Sequence, residues 1–556
     1  MTDQTAPVSM TNTARARGPR LLWGAALGVA VICALPMLAV ALAAFSGGSD
    51  TVAHLWQTQL PRYIGNTVAL VVLVAIGTFA IGAGAAWLVT MTRFPGVRVF
   101  EIALVLPLAF PAYVLAYAYT DLLDHPGLVQ TTLRAVMGWG PRDYWFPEIR
   151  SLGGAALMLV LVLYPYVYLL ARAAFIQQSG SAFTAARALG KSPLRAFWSV
   201  SLPMARPAVA AGVLLAVMET IADFGTVAYF SVQTFSTGIY TSWFSMGDRV
   251  AAAQLALGLL AFALLLAVLE RQQRGRAQYF EGSRGGRAPS VVFLRGWHSA
   301  FAVVLCSLPV LLGAVLPVVL LFNMGLGSEQ NLLSTRYMRF IQNSLTLAGV
   351  AAIVTLTAAV TLGYLRRVSD GRIARGAVYV GRLGYAVPGG VIAVGLLVPF
   401  AAFDNALDAW MRATFDISTG LLFTGSIWLL VFAYMVRFLA AALGAYEGGQ
   451  ASVHANMDAA SRSLGQGPFG TLWRVHLPIL TPSLLTALLI VFVDVLKELP
   501  ATLIMRPFNF DTLAVQAYRL ASDERLDGAA VPSLVIVAMG LLPVILICRQ
   551  VGRGAR

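Results

Sequence analysis

Cysteine, histidine and charge are all scarce in this chain, and each scarcity closes off a class of function. The three cysteines, Cys33, Cys306 and Cys548, each sit in an apolar run and none forms a C-x-x-C pair, so they read as inert core thiols. The five histidines are scattered, without an H-x-x-x-H or comparable spacing, which leaves metal or triad catalysis unsupported. A complete nucleotide loop is missing too. The stretch "ARALGKSP", 186–193, ends like G-x-x-x-x-G-K-[ST], but Ala185 stands where the first glycine belongs and no β-branched strand precedes it. Without that turn, backbone N–H groups are not aimed at a phosphate. No cofactor is expected, and the chain reads as a non-enzyme.

What fills the sequence is apolar residues: 58% of 556 are hydrophobic, only 12% are charged, and the mean hydropathy is +0.75. That composition indicates a membrane protein. Runs of roughly 20 apolar residues, the length that crosses a hydrocarbon core, fall at 22–45, 64–90, 99–121, 152–174, 206–231, 250–270, 298–322, 343–365, 376–402, 421–443, 480–505 and 531–549. The first is too long for the apolar core of a secretory signal and is kept as a span.

Lys and Arg set the expected orientation, because cationic loops stay in the cytoplasm. Arg15, Arg17 and Arg20 precede the first run, and every second loop is basic: Arg93 and Arg98; Arg172, Arg187, Lys191, Arg195 and Arg206; Arg271 to Arg295; Arg366 to Arg375; Arg549 to Arg556. The intervening loops are mixed or acidic, as at Asp404, Asp408 and Asp416, or Asp523, Glu524 and Asp527. Both termini are therefore expected in the cytoplasm. The net charge of +14 is a topology signal that anionic lipid would share, and not evidence for nucleic acid.

The chain repeats itself. "AARALGKSPLRAFWSVSLPMARPAV", 185–209, matches "ASRSLGQGPFGTLWRVHLPILTPSL", 460–484, at one offset of 275 residues. Gly190, Pro193, Trp198, Leu202 and Pro203 meet Gly465, Pro468, Trp473, Leu477 and Pro478, whereas Lys191 and Ser192 meet Gln466 and Gly467. What recurs is a helix, a glycine break, a short helix and a Leu-Pro, not the residues that mimic a phosphate loop. Downstream, Glu219 and Asp223 meet Asp494 and Glu498, and Phe235 and Thr237 meet Phe510 and Thr512. Upstream, at an offset of 277, Asn66-Thr67 meets Asn343-Ser344 and Pro111 meets Pro388. An even number of spans between copies makes the repeats parallel. The expected fold is an all-α integral membrane protein of about twelve transmembrane helices in two parallel six-helix repeats. Its expected parts are an N-terminal tail at 1–21, a first half at 22–270, a basic linker at 271–297 and a second half at 298–556. The loops are expected to carry Ala-rich helices ended by a left-handed glycine; interfacial helices that merely brace the bundle are the alternative.

The loop pattern resembles the E-A-A-x-x-x-G and L-P signature of permease subunits of binding-protein-dependent ABC importers. It reads Thr184-Ala185-Ala186-Arg187-Ala188-Leu189-Gly190 and Ala459-Ala460-Ser461-Arg462-Ser463-Leu464-Gly465, with Thr184 and Ala459 in place of the family's Glu. The resemblance implies that Ala185, Ala186, Arg187, Gly190, Ala460, Ser461, Arg462 and Gly465 belong to coupling loops docking a cytoplasmic ATPase dimer. It also implies a periplasmic substrate-binding protein as partner, a place in the bacterial inner membrane and the type I permease fold. The fused layout, with 218–240 and 494–515, is similar to ferric-iron importers; thiamine importers share the layout.

Charged groups inside spans are costly and default to function. Glu219 and Asp223, four apart, are expected on one helical face, and Asp494 and Glu498 repeat them. Facing each other across a pseudo-two-fold axis, the four would line a path suited to a hard, oxygen-seeking cation without holding it tightly. Structural pairing with Lys497 and Arg506 is the other reading. A proton-coupled secondary transporter using the four acids as a relay remains the alternative from a different class.

Overall fold

The computed structural model describes residues 20–46, 49–177, 180–278, 291–331, 333–369, 371–450 and 452–554. Residues 1–19 of the N-terminal tail and 279–290 of the proposed linker lie outside them. Twelve spans account for the fold: α1 Arg20–Phe45, α2 Leu60–Met91, a bent α3, α4 Leu152–Gln177, α5 Leu202–Ala222, α6 Arg249–Gln278, α7 Trp297–Leu326, α8 Thr335–Val368, α9 Gly389–Phe415, α10 Ile427–Gln450, α11 Leu477–Leu496 and α12 Leu526–Gly554. Eleven of these are long and apolar enough to cross a membrane, and α3 makes the twelfth as a pair, Val97–Ala109 and Ala112–Met137, bent by 92°. The bend falls at Pro111, which has no N–H to donate and instead caps Ala112–Leu123. Pro388 caps α9 in the same way.

Two expected spans are cut short. The helix expected over 206–231 ends at Ala222 and the one over 480–505 ends at Leu496, each followed by a short helix, Gly225–Tyr229 or Pro500–Met505. The same break refutes the single-face reading of the acids. Asp223 lies past the end of α5 with extended backbone, ψ 134°, and Glu498 lies past the end of α11. The repeat also shifts here. Thr234 caps Phe235–Tyr240 and Thr512 caps Leu513–Ser522, so Thr512 corresponds to Thr234 and not to Thr237. Three extra residues in the second copy, between the start of the short helix and this cap, absorb the difference.

Paired side chains explain the upstream match. Asn66 Nδ2 donates to the Gln233 carbonyl at 2.8 Å, and Asn343 Nδ2 to the Asp511 carbonyl at 3.0 Å. Thr67 Oγ1 accepts from Phe235 N at 3.4 Å, and Ser344 Oγ from Leu513 N at 2.8 Å. In each repeat, the second helix thus holds the irregular segment after the fifth, where backbone groups need partners that the bilayer cannot provide.

Packing crosses the sequence repeat. One core joins α2, α3 and α4 to α7 and α12, including Tyr164, Tyr168, Cys306, Leu321 and Ile536. The other joins α8, α9 and α10 to α1 and α6, including Cys33, Val40, Leu259, Val391 and Tyr434. Each half lends its first and last helices to the other. The outer faces of α1 and α7 are apolar and exposed, as at Val31, Leu38, Val304 and Phe322, as a lipid-facing surface requires.

Candidate translocation site and coupling loops

The two repeated loops fold alike. Gly180–Ala188 and Ala455–Ser463 are each ended by a glycine in the left-handed region, Gly190 at φ 82° and Gly465 at φ 77°. The amide of the next residue closes the turn, Lys191 N to Ala186 O and Gln466 N to Ser461 O, both at 3.1 Å. This six-residue closure satisfies carbonyls that the helix end leaves bare. Four-residue helices, Pro193–Ala196 and Pro468–Thr471, then widen into π turns, Phe197–Ser201 and Leu472–His476. The π turns were not expected from sequence. They accommodate Pro203 and Pro478, since a proline ring clashes with the carbonyl four residues back, and here that carbonyl, of Ser199 or Arg474, lies in the widened turn.

The lysine and serine of the phosphate-loop mimic are spent locally. Ser192 Oγ caps Pro193–Ala196 by accepting from Arg195 N at 3.3 Å, and Lys191 Nζ donates to Ser199 Oγ at 3.0 Å. Ala185 and Arg187 are exposed, as are Ala460 and Arg462, while Ala186 and Ser461 are buried. Arg187 Nη1 donates to the Lys191 carbonyl at 2.8 Å, and Ser461 bonds Thr471 at 2.8 Å. The outward face is apolar in both copies: Leu189, Leu194 and Trp198 match Leu464, Phe469 and Trp473, all exposed.

The loops differ in what holds them from behind. Under the first lie Phe183, Ala186 and Ala196, joined by Val292 from the end of the linker segment; Val292 and Phe293 pair as a short parallel strand with Thr92 and Arg93. Under the second lies a charged network. Asp458 accepts from Arg367 Nε at 2.9 Å and bonds His476 Nε2 at 2.7 Å, while Tyr364 OH donates to the Pro468 carbonyl at 2.6 Å.

Seventeen residues beyond Leu202, about 26 Å along α5 at 1.5 Å per residue, the acids gather at the seam between halves. Gly225 approaches Leu499 of the other half so closely that a Cβ would lie 3.0 Å from its Cδ2. Asp223 caps Gly225–Tyr229, accepting from Thr226 N at 3.1 Å, Val227 N at 3.2 Å and Thr226 Oγ1 at 3.1 Å. Its counterpart Glu498 caps Pro500–Met505, accepting from Ala501 N at 3.0 Å, Thr502 N at 3.3 Å, Thr502 Oγ1 at 3.1 Å and Tyr434 OH at 3.1 Å. Asp494 pairs with Lys497 at 2.8 Å, whereas Arg506 pairs with Asp511 and not with any of the four. Tyr166 and Tyr385 each lie within electrostatic range of both Glu219 and Asp494, and Tyr113 of both Asp223 and Glu498. Among the described residues, no group of three or more His, Cys, Asp or Glu is placed to hold a metal ion.

Sequence reasoning missed Arg437. It sits near the middle of α10, 9% exposed, with Nη2 3.8 Å from Glu219 Oε2 of the other half. The signal was present, as the one basic residue in the run 421–443, and an ionisable residue inside a span defaults to function. Gly389 was missed as well. A Cβ there would lie 2.8 Å from Arg437 Nη1 and 2.6 Å from Glu498 Oε1, so any side chain at 389 would displace both groups from their present positions.

On the face away from the coupling loops, Arg150 clamps the halves. Its Nη1 and Nη2 bind both carboxylate oxygens of Glu524 at 2.6 and 2.7 Å, and its Nε binds Asp124 at 3.0 Å. The Arg150 guanidinium, through that hydrogen bond, holds the Glu524 carboxyl below the usual range.

Comparison with known proteins agrees with this architecture. Residues 78–275 match the family described as "Binding-protein-dependent transport system inner membrane component". The Fe(3+)-transport system permease protein FbpB 2 of Haemophilus influenzae is 25% identical, over 92% of this chain and 95% of its own. The probable ABC transporter permease protein y4fN of Sinorhizobium fredii is 27% identical over 94% of each. The molybdenum transport system permease protein ModB of Escherichia coli is 26% identical, over 40% of this chain and 97% of its own. Residues 78–275 thus match the inner-membrane component of binding-protein-dependent transport systems, and most of the chain is similar to permeases named for ferric transport.

Proposed function

We propose that this permease carries ferric iron from a periplasmic binding protein to the cytoplasm by alternating access, driven by a separate ATPase dimer. The proposed parts are the halves 22–270 and 298–556, the tail 1–21 and the linker 271–297, with both termini cytoplasmic. The observation that carries the importer mechanism is the pair of coupling loops, identical in course and each presenting a leucine, a second apolar residue and a tryptophan to solvent. Matched, unpartnered apolar surfaces at a fixed spacing suit a two-fold partner. Docking there by Ala185, Ala186, Arg187, Gly190, Ala460, Ser461, Arg462 and Gly465 is part of the proposal.

Iron is supported by the relatives named for ferric transport, which match both halves, whereas the molybdenum relative matches 40% of the chain. Glu219, Asp223, Asp494 and Glu498 are proposed to line the path, and their existing caps and ion pairs favour brief contact over tight binding, as a conduit requires. The test is uptake of radiolabelled ferric iron into proteoliposomes holding the chain, its ATPase and its binding protein. ATP-dependent uptake that is lost in Trp198→Ala/Trp473→Ala supports both parts. ATP-dependent uptake of molybdate or thiamine in place of iron overturns the cargo, and iron uptake untouched by the double variant overturns the docking surface.

A further inference from the structure

We infer that Arg437 is a tethered counter-cation of the translocation path: in the closed seam its guanidinium takes the place, between Glu219 of one half and Glu498 of the other, that a passing cation would take. The inference rests on the proposed cation path and adds a residue to it. Two observations carry it.

The first is how loosely Arg437 is held. A settled guanidinium–carboxylate bond spans about 2.7–2.9 Å, yet Arg437 approaches Glu219 only to 3.8 Å, and Nη1 has no hydrogen-bond partner among the described residues. The residue is nevertheless 9% exposed. A buried cation with an idle donor costs free energy that a purely structural ion pair would avoid by closing to full contact.

The second is where the idle donor points. Nη1 and Glu498 Oε1 lie 2.8 and 2.6 Å from the place a Gly389 side chain would occupy, so the two groups converge on bare backbone at the seam. Glu498 is meanwhile held by its cap at Pro500–Met505, with Oε1 accepting from Ala501 N and Oε2 from Thr502 N. Counting Asp223, Glu219, Asp494 and Glu498 against Lys497 and Arg437, the seam is two charges negative when all are ionised. With Lys497 bound at 2.8 Å to Asp494, Arg437 is the one loosely held cation among them. An arriving cation can neutralise the carboxylates in its stead, and its departure lets the guanidinium return. The arrangement keeps the acids compensated when no cargo is present and prevents them from admitting stray cations.

Terbium(III), a hard trivalent probe, tests this without iron, ATP or binding protein. The permease–ATPase complex is reconstituted in vesicles loaded with dipicolinate, and terbium entry is read as luminescence, with release of a trapped uncharged dye measured in parallel. Arg437→Gln is expected to raise terbium entry about tenfold, Arg437→Lys to stay near native, and Arg437→Gln/Glu219→Gln to fall back toward native, all with dye release unchanged. Entry in Arg437→Gln no faster than native, or dye release rising with it, overturns the inference. Should Arg437→Gln fail to assemble, the exchanged pair Glu219→Arg/Arg437→Glu decides: a tight seam supports the counter-cation, and a leaking one overturns it. A failed iron reading would show separately, as absent iron uptake by the native chain.

Discussion

Gly190 and Gly465 owe their identity to backbone conformation alone. A Cβ built on either meets nothing within 4 Å, so the cost of alanine is that of holding an L-residue at φ 82° or 77°, about 1–2 kcal/mol each. Gly190→Ala/Gly465→Ala is expected to lower the thermal midpoint modestly while reducing ATP-driven uptake, because the exposed leucine and tryptophan are aimed by that turn; unchanged uptake at equal expression would refute the link. The Arg150–Glu524 clamp responds to pH. Its carboxyl titrates below the ordinary value of about 4.3, so the stabilisation is present above that unfolded value and is lost as pH falls through the lower folded one. Glu524 is 62% exposed, which limits the contribution to at most about 1 kcal/mol. The clamp's contribution to the thermal midpoint should therefore be constant from pH 7 to about pH 5 and weaken only in stronger acid. Glu524→Gln should remove that acid limb.

Among the elements, the two coupling loops pose the sharpest contrast. They share one backbone course but not one anchor: Phe183 and Ser201 stand where the second copy has Asp458 and His476. Asp458→Ala leaves Arg367 and a fully buried His476 without their shared acceptor, a loss of about 2–3 kcal/mol. It should loosen the second loop alone, which limited proteolysis within 452–468, compared with 180–193, would register; equal sensitivity of both loops would contradict the anchoring role. The loops were legible because backbone geometry forced the same glycines and prolines into both copies. Their anchors were not, since Arg367 and Asp458 lie 91 residues apart and no local pattern joins them. The acids were legible as charges in apolar runs, but the placement of Asp223 and Glu498 past the ends of their helices was not. Helical spacing placed Glu219 and Asp223 on one face, whereas the chain leaves the helix between them so that Asp223 can cap the next one. Nothing in a single span announces that break, because the short helix after it is as apolar as the span before. The bend at Pro111 was likewise hidden within a continuous apolar run.

At the scale of the whole molecule, exchange of helices decides what the chain can do in pieces. The core around α2, α3 and α4 is completed by α7 and α12, and the core around α8, α9 and α10 by α1 and α6. Neither sequence half contains a complete core. Without α7 and α12, residues such as Ala109, Phe110 and Tyr119, buried now, would face lipid or each other, and Tyr119 OH would lose the Leu312 carbonyl it meets at 2.7 Å. In a bilayer, burial of apolar surface gives little drive for helix association, so close packing and such interhelical hydrogen bonds carry more of the stability. The proposed alternating access would then move two mixed bodies, each built from both repeats, past the seam that holds the acids and Arg437. Fusion into one chain keeps the exchange partners at high effective concentration, though the loop-closure advantage grows only slowly with linker length. Cutting the chain between 279 and 290 should therefore be tolerated if both fragments are made together. Each fragment alone should be degraded, and co-expressed fragments should copurify through an affinity tag on either one. A lone first fragment that is stable and monodisperse in detergent would show that the exchanged helices are ornament, and that each repeat folds around its own core.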